Sequence, residues 1–386
     1  LRNFAEILAA CDALAANFAT RADQHDRDGS FAHENAAAMR AAGLCRITVA
    51  AALGGDGLGL KDMAQVLISI ARGDASTALG LAMHVHIIGQ MAEQQLYAPE
   101  IIDRLCAECV SPGIFVNNVA SEPEMGSPSR GGLAATTATP VVGGLLVNGR
   151  KSWVTYAPAL DYFLTTVTIR DGEREPIPAV VAIHKNSAGI EFLDNWGHEA
   201  MALRASGSCD VVYRDVFVPT HWLIEKREPG QTRSSRLPPG WSGVAFSAIY
   251  LGVGEAALHA LARFAAERVP TALGKPIATL AHVQRNVGRM QVALAAAKTF
   301  LLDVARTWDK YPQRRAMLEA DLATAKYLCT NAAIEATDIA LRTAGASGLD
   351  RRLPLERLFR DARAGLMHPP QDEAALMLVG RKVIGE

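Results

Sequence analysis

Asn148-Gly149-Arg150-Lys151-Ser152-Trp153-Val154-Thr155 is the stretch whose reading decides the fold. Its Asn-Gly pair is a hairpin signal, because both residues tolerate the left-handed backbone that a tight turn requires. Behind it, Trp153, Val154 and Thr155 place an aromatic wall and a hydroxyl close together. On either side lie short β-rich runs: Val141-Val142, Leu145-Leu146-Val147, Tyr162 to Ile169 and Val211-Val212-Tyr213, broken by Gly143-Gly144. This texture predicts a β domain over 113–224, closed as a small barrel.

The flanks read differently. Residues 1–112 are Ala-rich with helical spacing, as in Phe4, Leu8, Cys11 and Ala15, and break at Asp26-Arg27-Asp28-Gly29, which predicts an N-terminal helical domain. A charged, Pro-containing stretch from Glu225 to Gly240 reads as a connector. Beyond it, Val283, Val287, Met290, Leu294, Ala297, Leu301 and Val304 alternate steps of four and three, and the residues from Leu318 to Ile339 repeat the rhythm. With a helix from about 245 to 268 and a short one from Asp372, residues 225–386 predict a C-terminal four-helix bundle. The fold class is α+β.

Composition excludes several roles. The 386 residues are 49% apolar and 20% charged, with a formal net charge of -1, so no broad field draws the chain to nucleic acid or anionic lipid. No run approaches a membrane span, and Leu1-Arg2-Asn3-Phe4 lacks the basic-then-apolar start of a signal, so a cytoplasmic location is expected. Of the six cysteines only Cys106 and Cys109 have metal or redox spacing, with no second pair, so no metal site is expected.

Six blocks in register make the chain resemble the acyl-CoA dehydrogenase family over nearly its whole length. They are Gly54 to Gly59; Ser121-Glu122-Pro123-Glu124-Met125-Gly126-Ser127; Asn148 to Thr155; Leu203-Arg204-Ala205-Ser206 with Asp215 to Pro219; Gly274 to Ala278; and Arg360-Asp361-Ala362-Arg363. The resemblance implies a flavin, FAD in the first instance with FMN as the alternative. It implies that Trp153 packs on the ring, Thr155 bonds near N5, Ser121 bonds the pyrimidine edge, and Gly126 and Ser127 approach a phosphate. It further implies that Arg268, Arg342 and Gly345 meet the dinucleotide from a second subunit, with Gln371 and Glu373 at the cofactor's edge. A homodimer or homotetramer follows, with a small-molecule substrate such as an acyl-CoA and an electron-transfer flavoprotein or flavin reductase as partner.

The chain departs from that pattern at the catalytic base. The position that carries the family's Glu falls on Pro369, and the alternative position on the first bundle helix falls on Ser242. Neither ionises usefully near neutrality. His368 stands beside the lost base, and His368-Pro369-Pro370 resembles a segment of dibenzothiophene-monooxygenase-type relatives. His84 and His86 lie on a helix that borders the substrate pocket in this fold; two residues apart, they point to different faces. His368 and His84 are the catalytic candidates. The expected function is a flavin-dependent oxidoreductase acting on an acyl-CoA or similar substrate with a displaced base. The alternatives are a two-component monooxygenase using reduced flavin and oxygen, and a non-catalytic flavin-binding protein.

Overall fold

The computed structural model describes residues 2–124, 132–228 and 237–385. Helix α1 (Phe4–Asp28) starts at a capping box in which Asn3 and Glu6 satisfy each other's backbone donors, and stops at Gly29, whose left-handed φ of 57° ends the hydrogen-bond ladder. After α2 (His33–Ala41) come α3 (Leu60–Gly73), α4 (Ala75–Gln94) and α5 (Pro99–Val110). Asp74 caps α4 by accepting from the amides of Ser76 and Thr77.

The middle of the chain forms β1 (Val116–Val119), β2 (Thr137–Val141), β3 (Gly144–Lys151), β4 (Tyr162–Ile169), β5 (Ile177–His184), β6 (Ile190–Phe192), β7 (Val211–Pro219) and β8 (Leu223–Lys226). These strands do not close into the barrel expected from the sequence. Their order is β6-β7-β3-β2-β4-β5-β8, an open path whose two ends do not pair. The ends are only three and four residues long, too short to complete a ring of ladder bonds. Strand β4 organises the sheet: its start takes β1 and its end takes β2, both in parallel register, while β5 covers its other side. The Asn148-Gly149 pair is also not the hairpin turn. The turn between β2 and β3 falls at Val142 and Gly143, and Asn148-Gly149 sits within β3, where the register against β7 shifts. Gly149 has φ 148°, and a Cβ there would lie 2.7 Å from the Thr136 backbone, so the position needs a residue without a side chain.

The C-terminal part contains α6 (Gly240–Glu267), α7 (Ala281–Lys310), α8 (Glu319–Ala344), α9 (Leu355–Ala364) and α10 (Asp372–Ile384). The seams read from the sequence are buried at Val283, Met290, Leu294, Ala297, Leu301 and Val304 on α7, where Val287 is only half-buried, and at Leu322, Ala325, Cys329, Ala332, Ala336 and Ile339 on α8. The bundle gains α9, which the sequence pattern hides because Arg357, Arg360 and Asp361 interrupt its apolar face. Helix α6 is apolar on nearly every side and long enough to cross a membrane, but 89% of its most apolar window is buried inside the protein. It packs against α8 and α7 of its own bundle and against α3 and α4 of the N-terminal part. At one such crossing Gly252 lets α6 approach Ala71 and Ile68 of α3.

Two polar junctions tie the parts together. Glu93 on α4 accepts from the indole nitrogens of Trp241 (3.0 Å) and Trp308 (3.2 Å) and pairs with Arg315 at 2.9 Å. On the other side, Arg357 of α9 pairs with Asp23 of α1 at 2.7 Å, Arg360 pairs with Asp26 at 2.5 Å, and Asp361 accepts from the Leu203 amide at 2.7 Å.

Candidate flavin and substrate site

Strand β3 ends at Lys151, and the chain then turns sharply. Trp153 adopts φ 54°, a left-handed conformation that costs a bulky residue roughly 1–2 kcal/mol, and the residue stays 58% exposed. The surrounding contacts hold it there. The Asp210 carboxylate accepts from Arg150 Nε at 2.7 Å, Ser152 Oγ at 3.1 Å and the Trp153 amide at 3.4 Å. The Ser152 amide donates to the Ser121 carbonyl at 2.9 Å, which brings Ser121 to the same turn. The Thr155 hydroxyl accepts from Ser208 Oγ at 3.0 Å, and its carbonyl accepts from Asn117 Nδ2 at 3.0 Å. A hydroxyl that already accepts keeps its own proton to donate.

Beneath this turn lies a buried ion pair that the sequence reading passed over. Lys151 Nζ and Glu122 Oε1 are 2.7 Å apart, and neither side chain is exposed. Glu122 also accepts from the Ala135 amide (2.7 Å), the Thr136 amide (2.9 Å) and the Thr136 hydroxyl (2.6 Å). Burial works to raise the Glu122 pKa, but the bonds from Lys151 and Thr136 outweigh it and hold the carboxyl below its usual range. Burial lowers that of Lys151, opposed by Glu122. Both residues lie inside the motifs that resemble flavin-binding segments, so a charged residue in each was the available signal.

An isoalloxazine ring requires an apolar wall and a donor at its edge. An exposed Trp held in a costly conformation, beside a Thr with a proton to give, fits both requirements. Gly126 and Ser127 lie outside the described residues. Arg268, at the C-terminal end of α6, is exposed; Arg342, 79% exposed, pairs with Asp338 on its own helix. Gly345 follows α8 with φ 60°. Gln371 and Glu373 are exposed at the start of α10, and Ser242 is partly buried on the first turn of α6.

The histidines separate clearly. His84 is fully buried; its Nε2 donates to the Cys45 carbonyl at 2.7 Å and its Nδ1 accepts from the Val116 amide at 3.1 Å. Both ring nitrogens are therefore engaged with backbone, anchoring β1 to α4, and neither is left for a reacting group. His86 faces elsewhere: its Nδ1 donates to the Ala82 carbonyl at 2.7 Å, and its ring lies 6.1 Å from Phe246. Phe246 in turn stacks on His368 with ring centres 4.4 Å apart. The Tyr250 hydroxyl lies 2.6 Å from His368 Nδ1. Burial pushes His86 down to about 4. Burial, followed by the nearby Lys326 charge, pushes His368 to about 4, against a bond to the Ala364 carbonyl. His86 from α4, Phe246 and Tyr250 from α6 and His368 from the segment before α10 thus form one buried aromatic cluster. Helix α4 also reaches the Trp153 turn, since Gly80 packs directly on the Tyr156 ring.

Residues 5–98, 118–216 and 244–372 match the N-terminal, middle and C-terminal domains of acyl-CoA dehydrogenase respectively. The chain is 38% identical to the "Putative acyl-CoA dehydrogenase YdbM" of Bacillus subtilis (strain 168), over 94% of this chain and 92% of that protein. Among solved structures it is similar to TdsC from Paenibacillus sp. A11-2 in complex with FMN and indole, with TM-score 0.86, 23% identity, and 98% and 97% of the two chains covered. It is also similar to a nitrososynthase from Micromonospora carbonacea var. africana, with TM-score 0.83, 25% identity, and 100% and 98% covered. With all three domains matched in order and a turn fit for a flavin ring, the chain belongs to the acyl-CoA dehydrogenase family and is a flavin-dependent oxidoreductase.

Proposed function

We propose that this protein is a flavin-dependent monooxygenase, supplied with reduced flavin by a separate reductase. The carrying observation is His368, stacked on Phe246 with its Nδ1 2.6 Å from the Tyr250 hydroxyl, beside the Pro369 that the resemblance puts where the family carries its carboxylate base. Removing an acidic proton beside a carbonyl requires a base with appreciable affinity for it, and an imidazole titrating near 4 is a poor one. The same imidazole suits a hydrogen-bonding role toward an oxygen atom, because it does not change charge over the working pH range. When bound, the flavin would supply the electrons and the activation of oxygen.

The chain's own residues do the rest. Trp153 and Thr155 hold the ring, Tyr250 fixes the orientation of His368, and His86 offers a second neutral ring across Phe246. Phe246 and Tyr250 keep water from the reacting atoms. Arg268, Arg342 and Gly345, exposed on the single chain, are assigned to the phosphate end of a flavin held by a second copy. The likeness to a nitrososynthase and to an FMN-bound TdsC supports the reading.

The second reading is dehydrogenation of an acyl-CoA, favoured by the relative at 38% identity. It needs a base, and the nearby carboxylates serve poorly: Glu373 is exposed, and Asp372 accepts from Asn331 at 3.0 Å. The flavin-loaded protein should not be bleached by a panel of acyl-CoA esters without oxygen. Given reduced flavin and isotopically labelled oxygen, it should place the label in an aromatic or amine substrate. Rapid bleaching by any acyl-CoA would overturn the monooxygenase reading. His368→Ala should suppress oxygenation while flavin stays bound.

A further inference from the structure

Thr155 is the last of three hydroxyls bonded in a row. Ser208 Oγ donates to Thr155 Oγ1 at 3.0 Å, and Ser206 Oγ lies 2.7 Å from Ser208 Oγ. All three residues are buried, Ser206 completely. A hydroxyl carries one proton. Ser208 gives its own to Thr155, so in the second bond Ser206 must donate and Ser208 accept. The direction therefore runs from Ser206 through Ser208 to Thr155, and the Thr155 proton, which no described residue takes up, is left to point onward. The backbone keeps the row in line. Along the Trp153 turn, the Ser206 carbonyl accepts from the Tyr156 amide at 2.9 Å, the Gly207 carbonyl from Ala157 at 3.2 Å and the Cys209 carbonyl from Val154 at 3.0 Å. The Leu203 amide, donating to Asp361 at 2.7 Å, ties the start of this segment to α9.

We propose that Ser206 and Ser208 are positioning residues that act through Thr155: they make its hydroxyl a committed hydrogen-bond donor to the acceptor nitrogen N5 of an oxidised flavin. The proposal rests on the placement of Thr155 at the ring edge, and it is independent of the reaction the flavin performs. A threonine hydroxyl left to itself accepts or donates, and its proton swings about the C–O bond. With one lone pair engaged by Ser208, the proton is confined to directions away from that bond. Burial adds to the effect, because successive hydroxyl bonds polarise one another where water is excluded. Removing the Ser208 hydroxyl opens both lone pairs of Thr155 and releases the donor direction.

The test compares FMN with 5-deaza-FMN, which keeps the size, charge and ring system of FMN but puts a C–H where N5 stands. The full-length protein is loaded with each in turn, and the two affinities give a ratio. The parent should favour FMN by about three- to tenfold, the effect of one hydrogen bond, and Thr155→Val should bring the ratio to about one. Ser208→Ala should bring it to about two or less. Ser206→Ala, which keeps the bond to Thr155 but removes its support, should fall between that value and the parent's. Ser208→Thr, which retains a hydroxyl, should restore the parent ratio. A purely structural serine would weaken both flavins alike and leave the ratio unmoved. A parent-like ratio in Ser208→Ala, or in Ser206→Ala should the first not fold, would therefore overturn the proposal while Thr155 kept its place. A parent-like ratio in Thr155→Val would remove Thr155 from the ring edge, and the proposal with it.

Discussion

Replacing Glu122 by Gln removes one charge and changes almost no volume, yet it should be among the costliest single substitutions in the β domain. The carboxylate accepts four bonds, from Lys151 Nζ, the amides of Ala135 and Thr136, and the Thr136 hydroxyl, all between 2.6 and 2.9 Å. A glutamine offers one acceptor oxygen and turns an NH2 group toward donors. It also leaves the fully buried Lys151 ammonium without a counter-charge. Breaking a buried pair in this way costs about 3–5 kcal/mol. The converse change, Lys151→Met, leaves Glu122 with three donors, so it should cost about 1.5–3 kcal/mol, the value of one charged hydrogen bond. The double substitution should be less damaging than the sum of the two. Urea unfolding of the flavin-free protein gives the stabilities, and flavin fluorescence gives the affinity, which should fall in Glu122→Gln because Ser121 and the Trp153 turn flank the pair. A loss below 1 kcal/mol for Glu122→Gln, or a larger loss for Lys151→Met, would refute the argument that the carboxylate's donors hold this site.

Trp153→Gly should leave the flavin-free protein as stable or slightly more so, since glycine accepts φ 54° freely, while weakening flavin binding by more than tenfold; unchanged affinity in a titration would remove Trp153 from the ring wall. His84 is held near 4 by burial, below its unfolded value of about 6.5. Because the unfolded state binds the proton more readily, the stability it contributes is complete above pH 6.5 and is lost as pH falls from there toward 4. The loss amounts to at most about 3 kcal/mol, and unfolding of His84→Gln over that range should show a shallower pH dependence. Gly149→Ala should destabilise by about 1–2 kcal/mol through its φ of 148° and the crowding against Thr136; a neutral result in thermal unfolding would contradict the account of the β3 irregularity.

Much of the fold was legible because it is written locally. The four-and-three rhythm of α7 and α8 reflects burial of one helical face, and the break at Gly29 reflects the backbone freedom of a residue without Cβ. What escaped the sequence was set by partners distant along the chain. Asn148 and Gly149 look like a turn, but the Asn148 side chain bonds Asp215 across to β7 at 2.8 Å and fixes an irregularity instead. Barrel closure depends on whether two short edge strands meet, which strand propensity does not express. In the site, the spacing of His84 and His86 required different faces without saying which one turns to the pocket; the Cys45 carbonyl and the Val116 amide decide it. Tyr250 joins His368 only through the packing of α6 against the segment before α10, and Asp210 reaches Trp153 across 57 residues.

Glu93 gives the molecule a natural optical reporter. Two of the five tryptophans, Trp241 and Trp308, donate their indole nitrogens to this one carboxylate at the seam of α4, α6 and α7. A charge beside an indole shifts its emission, so loosening of the seam between the N-terminal and C-terminal parts should change the colour of the intrinsic fluorescence. Trp153, exposed on the β domain, should respond to flavin by quenching instead. Domain opening and cofactor loading can then be followed in one sample, by wavelength and by intensity.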